Sequence, residues 1–253
     1  MTPPATGIEL HFHALRGVDD GPACLEESVE LVQRAAAEGT ETVVATPHVR
    51  TDFVTDVLGL TERVDELRAA LRAAGVEIEL RRGAELGHDM VGRLSQAELD
   101  SIAQGPPGAR WLLVEAPFEA IGDTFHAATD ELRDRGFGVL VAHPERSADA
   151  SVHRGEGLRR ELLAGSLAQV NAQSITGAHG PEAQRAAFDL VDRRLVTAVS
   201  SDAHGPTRPP LLGEARAHLI ERGIDPVLCR ALTAGGPRRL LARGIPRAAA
   251  LVA

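Results

Sequence analysis

The sequence predicts an α/β fold, a TIM-like (β/α)7 barrel of seven parallel strands, closed or nearly closed and one strand short of the common eight. Three observations carry this expectation. Short apolar runs alternate with amphipathic segments of helical period, glycines at Gly39, Gly75, Gly136 and Gly165 stop those segments, and the apolar runs end in histidine or a carboxylate. Barrels of this kind run to roughly 250 residues as one unit. No linker or internal repeat divides the 253 residues, so a single domain spanning 1–253 is expected.

The elements follow in order. Ile8 to Phe12 reads as the first strand, whose period-two alternation puts His11 and His13 on one face. Pro22 to Glu38 reads as a helix: Leu25, Val29, Val32 and Ala36 recur at helical spacing, and Glu26 and Glu27 complement the positive amino end. Thr42 to Thr46 is the second strand and leads through Pro47 to His48. Leu60, Val64, Leu67 and Leu71 mark the next helix, and Val76 to Leu80 begins a third strand that runs toward Gly83-Ala84-Glu85, where glycine permits close backbone approach. Ser95 to Ile102 is a short helix or an irregular segment, and Gly105-Pro106-Pro107-Gly108 is a turn. Trp111 to Val114 is the fourth strand; a helix carrying Phe125, Ala128 and Leu132 separates it from the fifth, Val139 to Ala142. Leu158 to Leu163 is helical, Leu167 to Val170 is the sixth strand, Pro181 to Arg194 is a helix with proline in its first turn, and Leu195 to Ser200 is the seventh strand. Beyond it Leu211 to Arg222, Pro226 to Leu232 and the pair Leu240-Leu241 read as helical, with no further strand.

Composition narrows the function. A net charge of −9 argues against nucleic-acid binding, whose main affinity term is neutralisation of phosphates. No run reaches the ~20 apolar residues of a membrane span, and Met1 to Gly7 lacks the layout of a secretory signal, so no membrane insertion and a cytoplasmic location are expected. Cys24 and Cys229 read as ordinary reduced thiols. Lysine is absent, so every fixed positive side chain is an arginine, and the absence of tyrosine removes one general acid.

In parallel barrels the functional groups lie at the carboxyl ends of the strands. His11 and His13 end the first run with Asp20 in the loop after it, His48 follows the second, Glu85 the third, Glu115 the fourth, His143 the fifth, and Asp202 and His204 the seventh. A strand-end histidine taken singly is commonly a satisfied hydrogen-bonding residue, and a strand-end carboxylate a helix cap; the conjunction is what points to a site. Half of the ten histidines fall at these ends, whereas His126, His153, His179 and His218 read as helix or loop surface and His88 stands near Glu85 without a clear role. Four carboxylates gathered with nothing positive would repel strongly, so the cluster calls for cations. Nitrogen and oxygen donors without thiolate suit Mn²⁺, Fe or Zn²⁺, and nine ligands suit two or three ions rather than one. Arg146, in Ala-His-Pro-Glu-Arg, and Arg208, in Asp-Ala-His-Gly-Pro-Thr-Arg, lie on ligand-bearing loops and offer the planar fork that matches phosphate; Arg16 is a weaker third candidate. Competing chemistries lack their residues: neither cysteine is followed six residues on by arginine, and there is no Gly-x-Ser-x-Gly elbow and no Walker lysine.

These residues resemble the polymerase and histidinol phosphatase (PHP) superfamily and, within it, the bacterial manganese-dependent protein tyrosine phosphatases of capsule and exopolysaccharide synthesis. The likeness runs from His11 to about Leu212 through His-Phe-His, Gly-Val-Asp-Asp-Gly, Glu-Glu-Ser, Ala-Thr-Pro-His, Gly-Ala-Glu, Ala-His-Pro-Glu-Arg, Gln-Val-Asn-Ala-Gln-Ser-Ile-Thr-Gly and Ser-Ser-Asp-Ala-His, in that order. The resemblance implies a distorted seven-stranded barrel of PHP type with two or three divalent ions, Mn²⁺ first and Fe or Zn²⁺ as alternatives. His11, His13, Glu85 and Asp202 would hold one ion, Glu85, Glu115 and His143 a second, and Asp20, His48 and His204 a third, with Arg146 and Arg208 on the phosphate. It further implies hydrolysis of a phosphomonoester on a phosphotyrosyl protein, with a bacterial tyrosine kinase as partner. The alternatives are a small-molecule phosphatase of histidinol-phosphate type and a catalytically silent metal-binding regulatory module. Two positions depart from the family pattern: Glu9 stands where aspartate is usual, and Ser147 where an aromatic residue is common.

Overall fold

The computed structural model describes residues 7–54, 56–148, 150 and 155–246; the expectation for His153 lies outside them. Parallel strands alternate with helices along the chain: β1 (Gly7–Phe12), α1 (Leu25–Ala37), β2 (Thr40–Ala45), β3 (His48–Val49), α2 (Leu60–Ala73), β4 (Glu79–Arg82), β5 (Glu85–Leu86), α3 (Gln96–Ile102), β6 (Trp111–Glu115), α4 (Asp123–Asp134), β7 (Gly138–Ala142), α5 (Glu156–Leu163), β8 (Leu167–Asn171), α6 (Ala172–Thr176), α7 (Pro181–Asp192), β9 (Ala198–Ser200), α8 (Leu212–Glu221), α9 (Pro226–Arg230) and α10 (Gly236–Arg243). A single π-helical turn, Ala231–Gly235, takes over from α9 where the sequence predicted continued α-helix to Leu232.

The strand count differs from expectation. Among the described residues nine strands lie in two parallel sheets, ordered β1-β2-β4 and β3-β5-β6-β7-β8-β9, rather than seven in one. Two interruptions account for it. Pro47 has no N–H to give a ladder and parts β2 from β3. Gly83 parts β4 from β5, and a Cβ there would stand 2.6 Å from Val44 Cγ1, so the backbone approach needs glycine. Backbone bonds nevertheless run across both breaks, from Gly83 N–H to Ala45 O (2.9 Å) and from Glu85 N–H to Pro47 O (3.0 Å). The first strand also meets the end of the last: His13 N–H donates to Ala203 O (2.9 Å) and Asp202 N–H to His11 O (3.0 Å).

Both faces of the central strands are buried, as continuous apolar runs require. Trp111 and Leu113 of β6, with Leu140 and Ala142 of β7, belong to a small cluster with Ile8 and Leu10 that packs on Leu240 and Ile245. The Trp111 indole N–H donates to Leu240 O (3.0 Å), so the C-terminal helix is tied to β6. The alternate residues Leu112, Val114, Val139 and Val141 join the larger core, together with Leu31 and Val32 of α1, Leu67 and Leu71 of α2, and Phe125 and Leu132 of α4. Ser95 caps α3 in a reciprocal capping box with Glu98.

Candidate metal centre

Glu85 is the hub of the polar cluster. Its Oε2 lies 3.2 Å from His11 Nε2, 3.4 Å from His13 Nε2 and 2.9 Å from His48 Nδ1, and its Oε1 lies 2.8 Å from His143 Nε2. Register explains part of this, since His48 and Glu85 are direct partners across the β3–β5 pair. Asp202 divides its oxygens. Oδ1 faces the imidazoles of His11 (3.2 Å) and His13 (3.3 Å), while Oδ2 receives Asn171 Nδ2 (2.7 Å), Arg208 Nη2 (3.1 Å) and, at 3.5 Å, Arg146 Nη1. Asp20 Oδ1 is 3.1 Å from His204 Nε2 and 3.7 Å from His48 Nε2, with Arg208 Nη1 on its Oδ2 at 3.1 Å. Glu115 Oε2 is 3.8 Å from His48 Nδ1 and is paired with Arg50 at 3.2 Å.

Three overlapping groups therefore offer donor atoms within 4.8 Å of one another: His13, Asp20, His48 and His204; His11, His13, Glu85 and Asp202; and His48, Glu85 and Glu115. The second matches one set named from the sequence. The others differ in partition, with His48 beside Glu115 as well as Asp20, and His143 beside Glu85 but outside all three groups. The orientation of the rings favours a cation. Gln169 Oε1 accepts from His11 Nδ1 (3.0 Å) and Asp19 Oδ2 from His13 Nδ1 (2.7 Å). With those protons fixed, the two Nε2 atoms present lone pairs to each other at 3.2 Å, which repel unless a positive charge lies between or beside them. Among the described residues, Glu85 Oε2, Asp202 Oδ1, His48 Nδ1, His143 Nδ1 and His204 Nε2 are buried without a hydrogen-bond partner. Buried unsatisfied polar atoms are rare, and five on the side chains of one cluster fit divalent ions.

The electrostatics agree. Burial penalises ionised Glu85, but the His11 and His48 imidazoles outweigh it and hold the carboxyl well below the usual range. Asp202 is likewise held down by His11 and His13 against burial. In return burial lowers His11 and His13, and the facing carboxylates more than reverse it. Two protonated rings at this separation would repel, whereas divalent ions supply the same positive charge with both Nε2 atoms as acceptors.

Two of the cluster residues are strained. His143 (φ 35°) and Asp202 (φ 51°) are left-handed, a conformation uncommon outside glycine. Such strain concentrates at functional sites and costs of order 1–3 kcal/mol per residue.

Several supporting residues were not picked out from the sequence. Asp19, Gln169, Asn171, Arg50, Phe53 and Phe118 surround the candidate ligands; Asp19 lies in Gly-Val-Asp-Asp-Gly and Gln169 and Asn171 in Gln-Val-Asn-Ala-Gln-Ser-Ile-Thr-Gly, while the other three belong to none of the resembling motifs. Glu9 hydrogen-bonds neither His11 nor His13; its buried carboxyl accepts from Ser201 N–H (2.7 Å) and Oγ (2.5 Å), bracing the segment before Asp202, and burial raises it to about 7. His126, expected at the surface, is buried in α4 with Nδ1 on Glu161 (2.6 Å). His88 leans on Phe125 at 6.0 Å, His218 Nδ1 donates to Glu214 O (3.2 Å), and Arg16 pairs with Glu66 (2.9 Å). His179 is half-buried beside Ser174 (3.0 Å).

The sequence profile of the capsular polysaccharide synthesis family CpsB/CapC matches residues 7–242, nearly the whole described chain. The chain belongs to the CpsB/CapC family. This family member is 25% identical over 243 residues to the tyrosine-protein phosphatase CpsB of Streptococcus pneumoniae, covering 92% of this chain and 98% of the relative. Among solved structures it is similar to the YwqE of Bacillus subtilis and CpsB of S. pneumoniae pair, named as unique metal-dependent tyrosine phosphatases, with TM-score 0.79, 24% identity and coverage of 92% and 94%. A phosphotriesterase homology protein from Escherichia coli shares the α/β fold at TM-score 0.62 and 13% identity, over 93% and 98% of the two chains.

Proposed function

We propose that this CpsB/CapC family member is a metal-dependent phosphomonoester hydrolase acting on phosphotyrosyl protein, with a bacterial tyrosine kinase as the source or target of that phosphate. The observation that carries the reading is the convergence of His11, His13, Asp20, His48, Glu85, Glu115, Asp202 and His204, joined by His143 through Glu85, around buried unpartnered atoms, with Arg146 and Arg208 on the same carboxylate. We read residues 1–253 as one cytoplasmic domain, a distorted seven-position barrel in which β2 with β3, and β4 with β5, are broken strands. Among the described residues no helix is long and apolar enough to cross a membrane.

His11, His13, Glu85 and Asp202 would hold one ion, the His48, Glu85 and Glu115 group with His143 a second, and Asp20, His48 and His204 a third. The nitrogen and carboxylate donor set suits Mn²⁺ best, with Fe and Zn²⁺ as the next choices. Ions so bound supply Lewis acidity, lowering the pKa of water and neutralising phosphoryl oxygens. The chain's own residues do the rest. Asp19 and Gln169 keep the Nδ1 protons of His13 and His11, so each Nε2 stays an acceptor. Arg146 and Arg208 lie on Asp202 with further N–H groups to spare for two phosphoryl oxygens, where their charge offsets that developing in the transition state. Water adds to phosphorus as the bond to the aryl oxygen breaks, giving inorganic phosphate and a phenol. The departing phenoxide has a parent pKa of ~10 and needs little help from an acid, so the lack of tyrosine is no handicap.

The test is a substrate panel on metal-reconstituted protein, with anomalous scattering from crystals to locate and identify the ions. Turnover of phosphotyrosyl peptide above sugar and amino-alcohol phosphates is expected. Preference for an amino-alcohol phosphate would make this a histidinol-phosphate type enzyme, and inertness towards every ester would make it a regulatory module.

A further inference from the structure

Both phenylalanines left exposed among the described residues stand beside the cluster. Phe118, 46% exposed in the loop after β6, lies parallel to His143 with centroids 6.3 Å apart, and the Arg146 guanidinium carbon sits 4.8 Å from the centre of its face. Phe53, 37% exposed in the loop after β3, stacks on His48 at 5.3 Å and 14°. Since His48 and His143 both reach Glu85, the order across the rim is Phe53, His48, Glu85, His143, Phe118. Apolar rings exposed around a polar centre mark a ligand site more often than a structural accident.

Phe118 is also held in position. The Ser147 hydroxyl donates to Pro117 O (2.5 Å) and Ala148 N–H to Phe118 O (2.7 Å), so the loop bearing the ring is fastened to the loop bearing Arg146. A cavity of about 690 Å³ opens beside Arg146 with Phe118, Ser147 and Ala183 in its wall, ample for an aryl ring and the residues flanking it. Ser147, a small side chain, lines the same wall.

Resting on the phosphatase reading above, we infer that Phe118, with Phe53 flanking the far side of the cluster, selects aryl over alkyl phosphomonoesters. The phosphoryl group lies against Arg146 and Arg208, and the phenyl ring of the substrate packs on the part of Phe118 that the guanidinium leaves free. Aromatic pairs at centroid separations of ~4.5–7 Å gain beyond the area they bury, and the cation over Phe118 fixes its orientation. Reach adds to the discrimination. Glu85 and Asp202 are buried, so a phosphoserine, with its phosphorus close to its own backbone, meets the two rings before its phosphate meets the cluster.

The experiment compares kcat/KM for phenyl phosphate and a phosphotyrosyl peptide with that for β-glycerol phosphate, using metal-loaded full-length protein with metal content measured for each variant. Phe118→Ala lowers the aryl-to-alkyl ratio about tenfold, Phe53→Ala lowers it less, and Phe118→Leu, which keeps bulk without a π face and guards against a folding defect, behaves like alanine. In calorimetry without turnover, the affinity for phenylphosphonate relative to methylphosphonate falls by a similar factor. An unchanged ratio, or equal losses on both ester classes, overturns the inference while the phosphatase reading stands. Wild-type protein inert on all three esters overturns both.

Discussion

Asp19 controls two proposed ligands at once, which makes its replacement the sharpest test of the centre. Its buried carboxylate accepts from His13 Nδ1 (2.7 Å) and His48 N–H (3.0 Å) through Oδ2 and from Gly21 N–H (3.0 Å) through Oδ1. Burial raises the carboxyl, and the hydrogen bond and charge of His13 more than reverse it, so Asp19 is anionic. Asp19→Ala removes the group that fixes the His13 tautomer and frees the His48 backbone. Losing such outer support costs ~10–100-fold in metal affinity, which is ~1.4–2.7 kcal/mol. The unsatisfied amide adds ~1–3 kcal/mol of fold stability, or a Tm lower by ~2–12 °C at ~2–4 °C per kcal/mol for a chain of this size. Asp19→Asn keeps an oxygen for His13 and His48 but turns an amide towards Gly21 N–H, so its loss is intermediate. Mn²⁺ titration calorimetry on metal-stripped protein, paired with scanning calorimetry, measures both effects. Wild-type Mn²⁺ affinity in Asp19→Ala would refute the reasoning, since His13 would then bind its ion without the partner that orients it.

Four further outcomes are expected. Arg208→Ala reduces kcat/KM by ~10–150-fold, the ~1.5–3 kcal/mol of a charge-assisted hydrogen bond, and Arg208→Lys recovers part of it; turnover that survives with metal content intact means that the phosphate is held elsewhere. Chelation lowers Tm, by ~5–10 °C where the ion had stood near 100 times its dissociation constant, and Mn²⁺ restores it; no shift in a scan with and without chelator indicates that water already satisfies the five buried atoms. Glu161→Ala leaves His126, Arg133 and Ser166 without their shared buried carboxylate and costs ~3–5 kcal/mol in denaturant unfolding, while a cost below 1 kcal/mol would show that the network contributes little. Burial, then the charge of Arg146, lowers His179 to about 4. The unfolded chain binds the extra proton between its ordinary 6.5 and that value, so stability is present above pH 6.5 and falls as pH drops towards 4, by roughly 1 kcal/mol after discounting for partial exposure; His179→Gln flattens that part of the profile.

Sequence periodicity carried the helices well because one buried stripe per helix is a local property. Leu60, Val64, Leu67 and Leu71 of α2 are the residues buried in it, and Phe125, Ala128 and Leu132 are buried in α4. Strand bounds were less legible. Val76 to Leu80 was expected to open the third strand, but β4 begins at Glu79, and β9 begins at Ala198 rather than Leu195. Pairing decides those ends, and pairing is not local. The strand-end rule gathered the candidate ligands because titratable side chains stand where apolar runs stop. Asn171 sits at such an end too, within Gln-Val-Asn-Ala-Gln-Ser-Ile-Thr-Gly, yet a neutral amide does not announce a role, and its bond to Asp202 (2.7 Å) is what gives it one. His126 failed in the opposite sense: its partner Glu161 lies on another helix, and burial of such a pair leaves no periodic trace.

The breaks at Pro47 and Gly83 and the left-handed residues His143 and Asp202 belong to one physical problem. A regular parallel strand sends successive side chains to opposite faces, so it cannot by itself aim several neighbouring ligands at one point. Interrupting β2–β3 and β4–β5 at the rim frees the chain to bring His48 and Glu85 into direct register, and the left-handed turns after β7 and β9 redirect His143 and Asp202 inward. Aspartate and histidine tolerate that conformation better than most residues, yet the four imidazoles on Glu85 and the split contacts of Asp202 are dense enough to hold it only if their charges are balanced. Strain and unpaired atoms therefore fall on the same side chains. Cation binding compensates both, which couples the local backbone geometry of these loops to occupancy of the centre, so loss of the ions is expected to loosen the segments around His143 and Asp202 before the helices outside them.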